Sequence, residues 1–128
     1  MTVQLDHTIV EARDRRATAD FLAGVLGLEV GAPYGPFLPV EVDNGVTLDV
    51  MGVDDGPVRP QHYAFLVGED DFDAVLARLE GAGATHWADP MYRRAGEINH
   101  EDGGRGMYFL DPNGHRLEVL TRRYGSGG

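Results

Sequence analysis

Four side chains able to hold a divalent cation stand in two similar settings: His7 and Asp49 in the first half of the chain, His62 and Glu118 in the second. His7 opens the apolar stretch Leu5-Asp6-His7-Thr8-Ile9-Val10, and His62 opens Gln61-His62-Tyr63-Ala64-Phe65-Leu66-Val67. Each carboxylate lies inside a later apolar stretch, Leu48-Asp49-Val50 or Leu117-Glu118-Val119. Imidazole and carboxylate donors suit Mn, Fe, Co, Ni, Zn or Mg. Strands hold such donors more rigidly than loops do. The chain has no cysteine, and all 11 of its basic residues are arginine. Thiolate ligands and nucleophiles, disulfides and lysine Schiff bases are therefore excluded.

The elements that must carry these residues come from hydrophobic periodicity. The first half reads as a strand over 3–10, a helix over 13–26, weaker strands over 29–30 and 37–42, and a strand over 46–53. The helix is expected to bury Ala17, Phe21, Leu22, Val25 and Leu26, with Asp14 as its N-cap and Gly27 as its stop. Residues 54–60 have the composition of a linker. The pattern then restarts, with a strand over 62–67 and a helix capped by Asp70 or Asp71 that buries Phe72, Val75, Leu76 and Leu79. A short strand over 85–88 follows, then an irregular segment over 91–106. Strands over 106–110 and 115–121 flank the turn Asp111-Pro112-Asn113-Gly114. The tail from Gly125 onward is expected to be disordered.

The order is β-α-β-β-β twice: module one over about 1–55 and module two over about 60–124, within a single domain spanning 1–128. Helices do not alternate with every strand, so the fold class is α+β. Two mostly antiparallel curved sheets are expected to form a cup, with helices outside. Side-chain alternation assigns the faces. Leu117 and Val119 belong under the helix, so Glu118 points into the cup with Arg116 and Leu120. Likewise Thr47, Asp49 and Met51 line the cup, with Asp49 and Met51 as substrate-side candidates. His62, Ala64 and Leu66 line it from the second module. The pattern alone leaves the orientation of His7 open; the repeat matches His7 to His62.

The segment Glu97-Ile98-Asn99-His100-Glu101-Asp102-Gly103-Gly104-Arg105 is either a solvated surface loop or a cover over the cup mouth. As a cover it would offer His100 as an acid–base catalyst and Arg105 as an anion partner. His115 is expected near the turn on the outer face, and His86 in a short strand; neither is expected to be a ligand.

These stretches, with Tyr108-Phe109-Leu110-Asp111-Pro112-Asn113-Gly114-His115-Arg116-Leu117-Glu118, resemble the vicinal oxygen chelate superfamily. That group includes glyoxalase I, extradiol dioxygenases, fosfomycin-resistance thiol transferases and bleomycin-binding proteins. The resemblance implies paired βαβββ modules around a divalent metal ion (Fe, Mn, Ni, Zn or Co), with His7, His62 and Glu118 on the ligand positions. Asp49 falls where glyoxalase I enzymes carry a fourth, glutamate ligand, and is one methylene shorter. Tyr108 resembles the substrate-contacting tyrosine of the dioxygenases and fosfomycin enzymes. The resemblance thus implies an enzyme that chelates a small substrate through two neighbouring oxygens, by dioxygenation or by lyase or isomerase chemistry. A metal-free, drug-sequestering protein of the bleomycin-resistance type is the alternative. The segment before Arg105 departs from the potassium- and phosphonate-binding stretch of the fosfomycin enzymes, which argues against that substrate. Relatives imply a homodimer, with sites built from one chain or from two.

The net charge of −10 shows no basic patch for nucleic acid. No apolar run reaches the ~20 residues of a membrane span, and no secretory signal is visible. A cytoplasmic location and no membrane partner are the expectations.

Overall fold

Alternating burial builds the first sheet. β1 (His7–Ala12) buries Val10 and Ala12, β2 (Phe37–Glu41) buries Leu38 and Val40, and β3 (Thr47–Gly52) buries Leu48 and Val50. In the computed structural model, which describes residues 2–127, β3 is central: β1 runs parallel to it and β2 antiparallel. Helix α1 (Arg15–Leu26) packs on this sheet. The Asp14 carboxylate accepts from the backbone N–H groups of Arg16 and Ala17 at 3.0 and 3.1 Å, and Gly27 closes the helix in the left-handed conformation. The buried face is Thr18, Ala19, Leu22, Ala23 and Val25. It is rotated from the expected one: Ala17 is exposed and Leu26 only half-buried, because the stripe runs through the small pair Ala19 and Ala23 rather than the bulkiest side chains. The strand expected over 29–30 shrinks to one bridge between Val30 and Val40. Pro33 and Pro36 lack the N–H a ladder needs, and Tyr34 and Phe37 instead bond each other's backbones at 2.9 Å.

The second unit begins after Arg59. Its sheet has the order β4-β7-β6-β5, from β4 (His62–Leu66), β5 (His86–Trp87), β6 (Gly106–Leu110) and β7 (Arg116–Leu120). β4 is parallel to β7; the other pairs are antiparallel. Helix α2 (Glu69–Gly81) buries Phe72, Val75 and Leu79. Its N-cap is Gly68, with no side-chain capping bond, rather than Asp70 or Asp71. Those two lie inside the first turn with Glu69, where their charge meets the positive end of the helix.

His115 and the C-terminal tail depart from expectation. His115 is fully buried rather than on an outer face: its Nδ1 accepts from the Gln61 N–H at 3.0 Å, and its ring stands edge-on to Tyr63. The segment expected to be irregular holds a buried anchor, Asn99, whose side chain donates to the Ala88 carbonyl at 2.8 Å while its backbone pairs with Gly106. A Cβ at Gly106 would stand 2.9 Å from the Asn99 side-chain oxygen, so only glycine fits the crossing. The tail is ordered through a turn over 123–126, with the Ser126 N–H donating to the Arg123 carbonyl at 3.1 Å; Gly128 lies outside the described residues.

Among the described residues there are two helices and seven strands in two mixed sheets, neither closed, which is an α+β fold. None of these helices is long and apolar enough to cross a membrane.

Candidate metal centre

The turn between β6 and β7 sets the register that builds the site. Asp111 Oδ1 accepts from the backbone N–H groups of Asn113 and His115 at 3.0 and 2.6 Å, and Gly114 takes φ 88°, which favours glycine. Tyr108 therefore lies opposite Glu118, and Glu118 opposite Ala64. His62 lies opposite Arg116, one diagonal step from Glu118, within reach of a long side chain. A one-residue slip would turn all of them to the other face.

On that face His62 Nε2 stands 3.1 Å from Glu118 Oε1. Glu118 is 2% exposed, while the His62 side chain is half-exposed. The second carboxylate oxygen, Oε2, accepts a short hydrogen bond from the Tyr124 hydroxyl. The Tyr108 hydroxyl lies 3.0 Å from that of Tyr124, and its ring stacks toward His62 at 6.5 Å between centroids. Burial pushes the Tyr108 phenol above its ordinary pKa, with the Tyr124 hydrogen bond opposing. Burial, then the hydrogen bond to Glu118, raises Tyr124 strongly. Both phenols therefore carry their protons at neutral pH. Since the single Tyr124 proton goes to Glu118, Tyr108 is the donor to Tyr124.

The first sheet resolves the orientation of His7. His7, Ile9 and Glu11 face the same way as their register partners Thr47, Asp49 and Met51, opposite the buried Val10. Asp49 and Met51 are half-buried on that face. Asp6 Oδ2 accepts from His7 Nδ1 at 2.7 Å. That hydrogen bond first, then the Asp6 charge and more weakly that of Asp49, raises the His7 pKa. A proton held on Nδ1 leaves the Nε2 lone pair of the neutral ring free, the arrangement of a metal-ligating histidine oriented by a carboxylate.

Of the two candidates from the expected mouth loop, Arg105 is engaged on α2. Arg105 donates through Nε to Glu69 at 2.8 Å and through Nη1 to Asp73 at 2.7 Å, with its guanidinium 4.6 Å from the centre of the Phe72 ring. Its fork is committed to α2. His100 is exposed at the start of a 3-10 turn, Glu101–Gly103.

Among the described residues no group of three or more His, Asp or Glu could hold a metal ion. His62 and Glu118 nonetheless fit part of such a site. Donor atoms 3.1 Å apart match neighbouring positions around an ion bonded at about 2.1 Å. A carboxylate can only accept, so the proton between them sits on His62 Nε2, where an ion would replace it. Two residues at these positions escaped the sequence reading. Asp6 could have been found from its adjacency to His7; Tyr124 lies in a Gly- and Arg-rich tail with no periodicity to place it.

The glyoxalase-like domain family matches residues 7–120. The solved structure of Oxidase ChaP-H2 is 66% identical, covers both chains completely and superposes with a TM-score of 0.96. Oxidase ChaP-H1 is 60% identical over 98% of this chain and 100% of its own, with a TM-score of 0.93. Glutathione transferase FosA of Serratia marcescens is 32% identical, over 93% of this chain and 81% of that protein.

Proposed function

Because the chain belongs to the glyoxalase-like domain family of the vicinal oxygen chelate superfamily, we propose that it is a divalent-metal enzyme that oxidises a small substrate held through two neighbouring oxygens. His7, His62 and Glu118 would hold the ion, with His7 contributed by a second copy of the chain in a homodimer. The observation that carries this reading is the approach of His62 Nε2 to the buried Glu118 carboxylate, with two protonated phenols beside it. Whole-length likeness to two oxidases supports oxidation over isomerisation. Assembly from two chains is supported by exposed apolar side chains on both histidine-bearing faces, Ile9 and Leu66, and among the described residues of the second unit no third His, Asp or Glu joins His62 and Glu118.

The ion, when bound, supplies positive charge for the substrate oxygens and, in the case of iron, electron-transfer capacity. The chain supplies the rest. The Asp6 carboxylate keeps His7 in one tautomer. Ala64, Leu66 and Leu120 give His62 and Glu118 an apolar surround on their face. The Tyr108 oxygen, its own proton directed at Tyr124, can accept from a substrate hydroxyl placed over His62. Asp49 and Met51 offer one polar and one apolar contact beside His7.

The test is dioxygen uptake by Fe(II)-reconstituted protein given dihydroxy-aromatic substrates. Uptake is expected in the wild type and absent in His7→Ala, His62→Ala and Glu118→Gln, and Tyr108→Phe is expected to lower kcat by about 100-fold. Turnover of a methylglyoxal–thiol adduct with Ni or Zn, without oxygen uptake by any of these diols, would replace oxidation by isomerase chemistry.

A further inference from the structure

The C-terminal tail enters the candidate centre through one atom. Tyr124 is 60% exposed, so its ring lies at the surface and adds little to the core, yet its hydroxyl reaches a carboxylate that is 2% exposed. A buried carboxylate is costly unless its oxygens are paired. Glu118 has its two oxygens assigned separately, Oε1 to His62 and Oε2 to Tyr124. The turn that delivers Tyr124 is specific. The Ser126 N–H closes on the Arg123 carbonyl, with Tyr124 second and Gly125 third at φ 77°, a conformation other residues adopt with strain. Tyr108 donates to the Tyr124 oxygen from below, so the hydroxyl is fixed from two sides.

We infer that Tyr124 is a positioning residue that reserves Oε2 of Glu118, so that the carboxylate meets a cation through Oε1 alone, beside His62. This rests on the metal reading above. Single-oxygen binding keeps a coordination position open, which a substrate presenting two neighbouring oxygens needs. Without the phenol, Oε2 turns toward the ion and competes for that position.

The test is Co(II) binding to the full chain, followed by calorimetry and by the visible absorption bands, in wild type, Tyr124→Phe and Gly125→Val. The phenylalanine variant is expected to weaken Co(II) affinity about 10–100-fold, as loss of a group supporting a ligand does, and to lower the intensity of the visible bands as the coordination number rises. The variant should still melt cooperatively as a folded protein, with a midpoint lowered by several degrees as Oε2 loses its partner. Gly125→Val, which strains the turn and keeps the hydroxyl, should reproduce both Co(II) effects. Wild-type affinity and an unchanged spectrum in Tyr124→Phe would overturn the role of Tyr124 while leaving the metal reading intact. A wild-type protein that binds no Co(II) would overturn the metal reading, and this inference with it.

Discussion

Asp6 and His7 form a two-residue unit whose chemistry is set by a 2.7 Å hydrogen bond. The bond stabilises the charged ring, so His7 titrates above its ordinary 6.5. In the metal-free protein, NMR titration should place the His7 midpoint above that value, and Asp6→Asn should move it back down. The sign follows from the raised pKa: the stabilisation is fully present below pH 6.5 and is lost as pH rises through the higher folded value. The same substitution should weaken divalent-metal affinity about 10-fold, because the tautomer is no longer fixed; an unchanged affinity would remove the orienting role of Asp6. At this scale the sequence was partly legible. Alternation placed Glu118, His62, Asp49 and Met51 on their faces, because strand side chains have a strict period of two. The pairing of Arg105 was not legible, since its carboxylates lie 32 and 36 residues away and only the fold brings them near.

Helices and turns give sharper contrasts. Asp14 caps α1 with two backbone hydrogen bonds, whereas Asp70 and Asp71 make none as caps for α2. Asp14→Ala should therefore cost about 1 kcal/mol in urea unfolding, and Asp70→Ala and Asp71→Ala a few tenths at most. Equal effects from all three would contradict the cap assignment. Arg105 joins the strand β6 end to α2; the Glu69 pKa is lowered first by a hydrogen bond from Thr121 and then by that of Arg105, and the Asp73 pKa by the hydrogen bond of Arg105. Lowered carboxylate pKa values stabilise above the ordinary values of 4.5 and 3.8 and are lost as pH falls through the folded ones. The melting midpoint should thus fall on acidification below that range, and less steeply in Arg105→Met. The succession of strands and helices along the chain was readable because long periodic runs leave little choice. The collapse of the 29–30 strand and the buried Asn99 were not, because they depend on missing proline N–H groups and on one side chain reaching Ala88.

For the whole molecule, the duplicated pattern announced two similar units, but among the described residues neither unit alone presents three donors. The proposed homodimer with sites shared between copies is tested by a mixing experiment. His7→Ala and Glu118→Gln chains, each inactive alone, should regain metal binding when unfolded together and refolded, because one site of the mixed dimer has all its donors. No recovery would place each donor set within one chain.

The most direct measurement is the divalent-metal stoichiometry of the dialysed protein, by elemental analysis after loading with Fe(II) or Co(II). Wild type should retain close to one ion per chain, and His62→Ala and Glu118→Gln should retain almost none while melting as folded proteins. Equal metal in wild type and both variants, or none in the wild type, would contradict a cation held by His62 and Glu118.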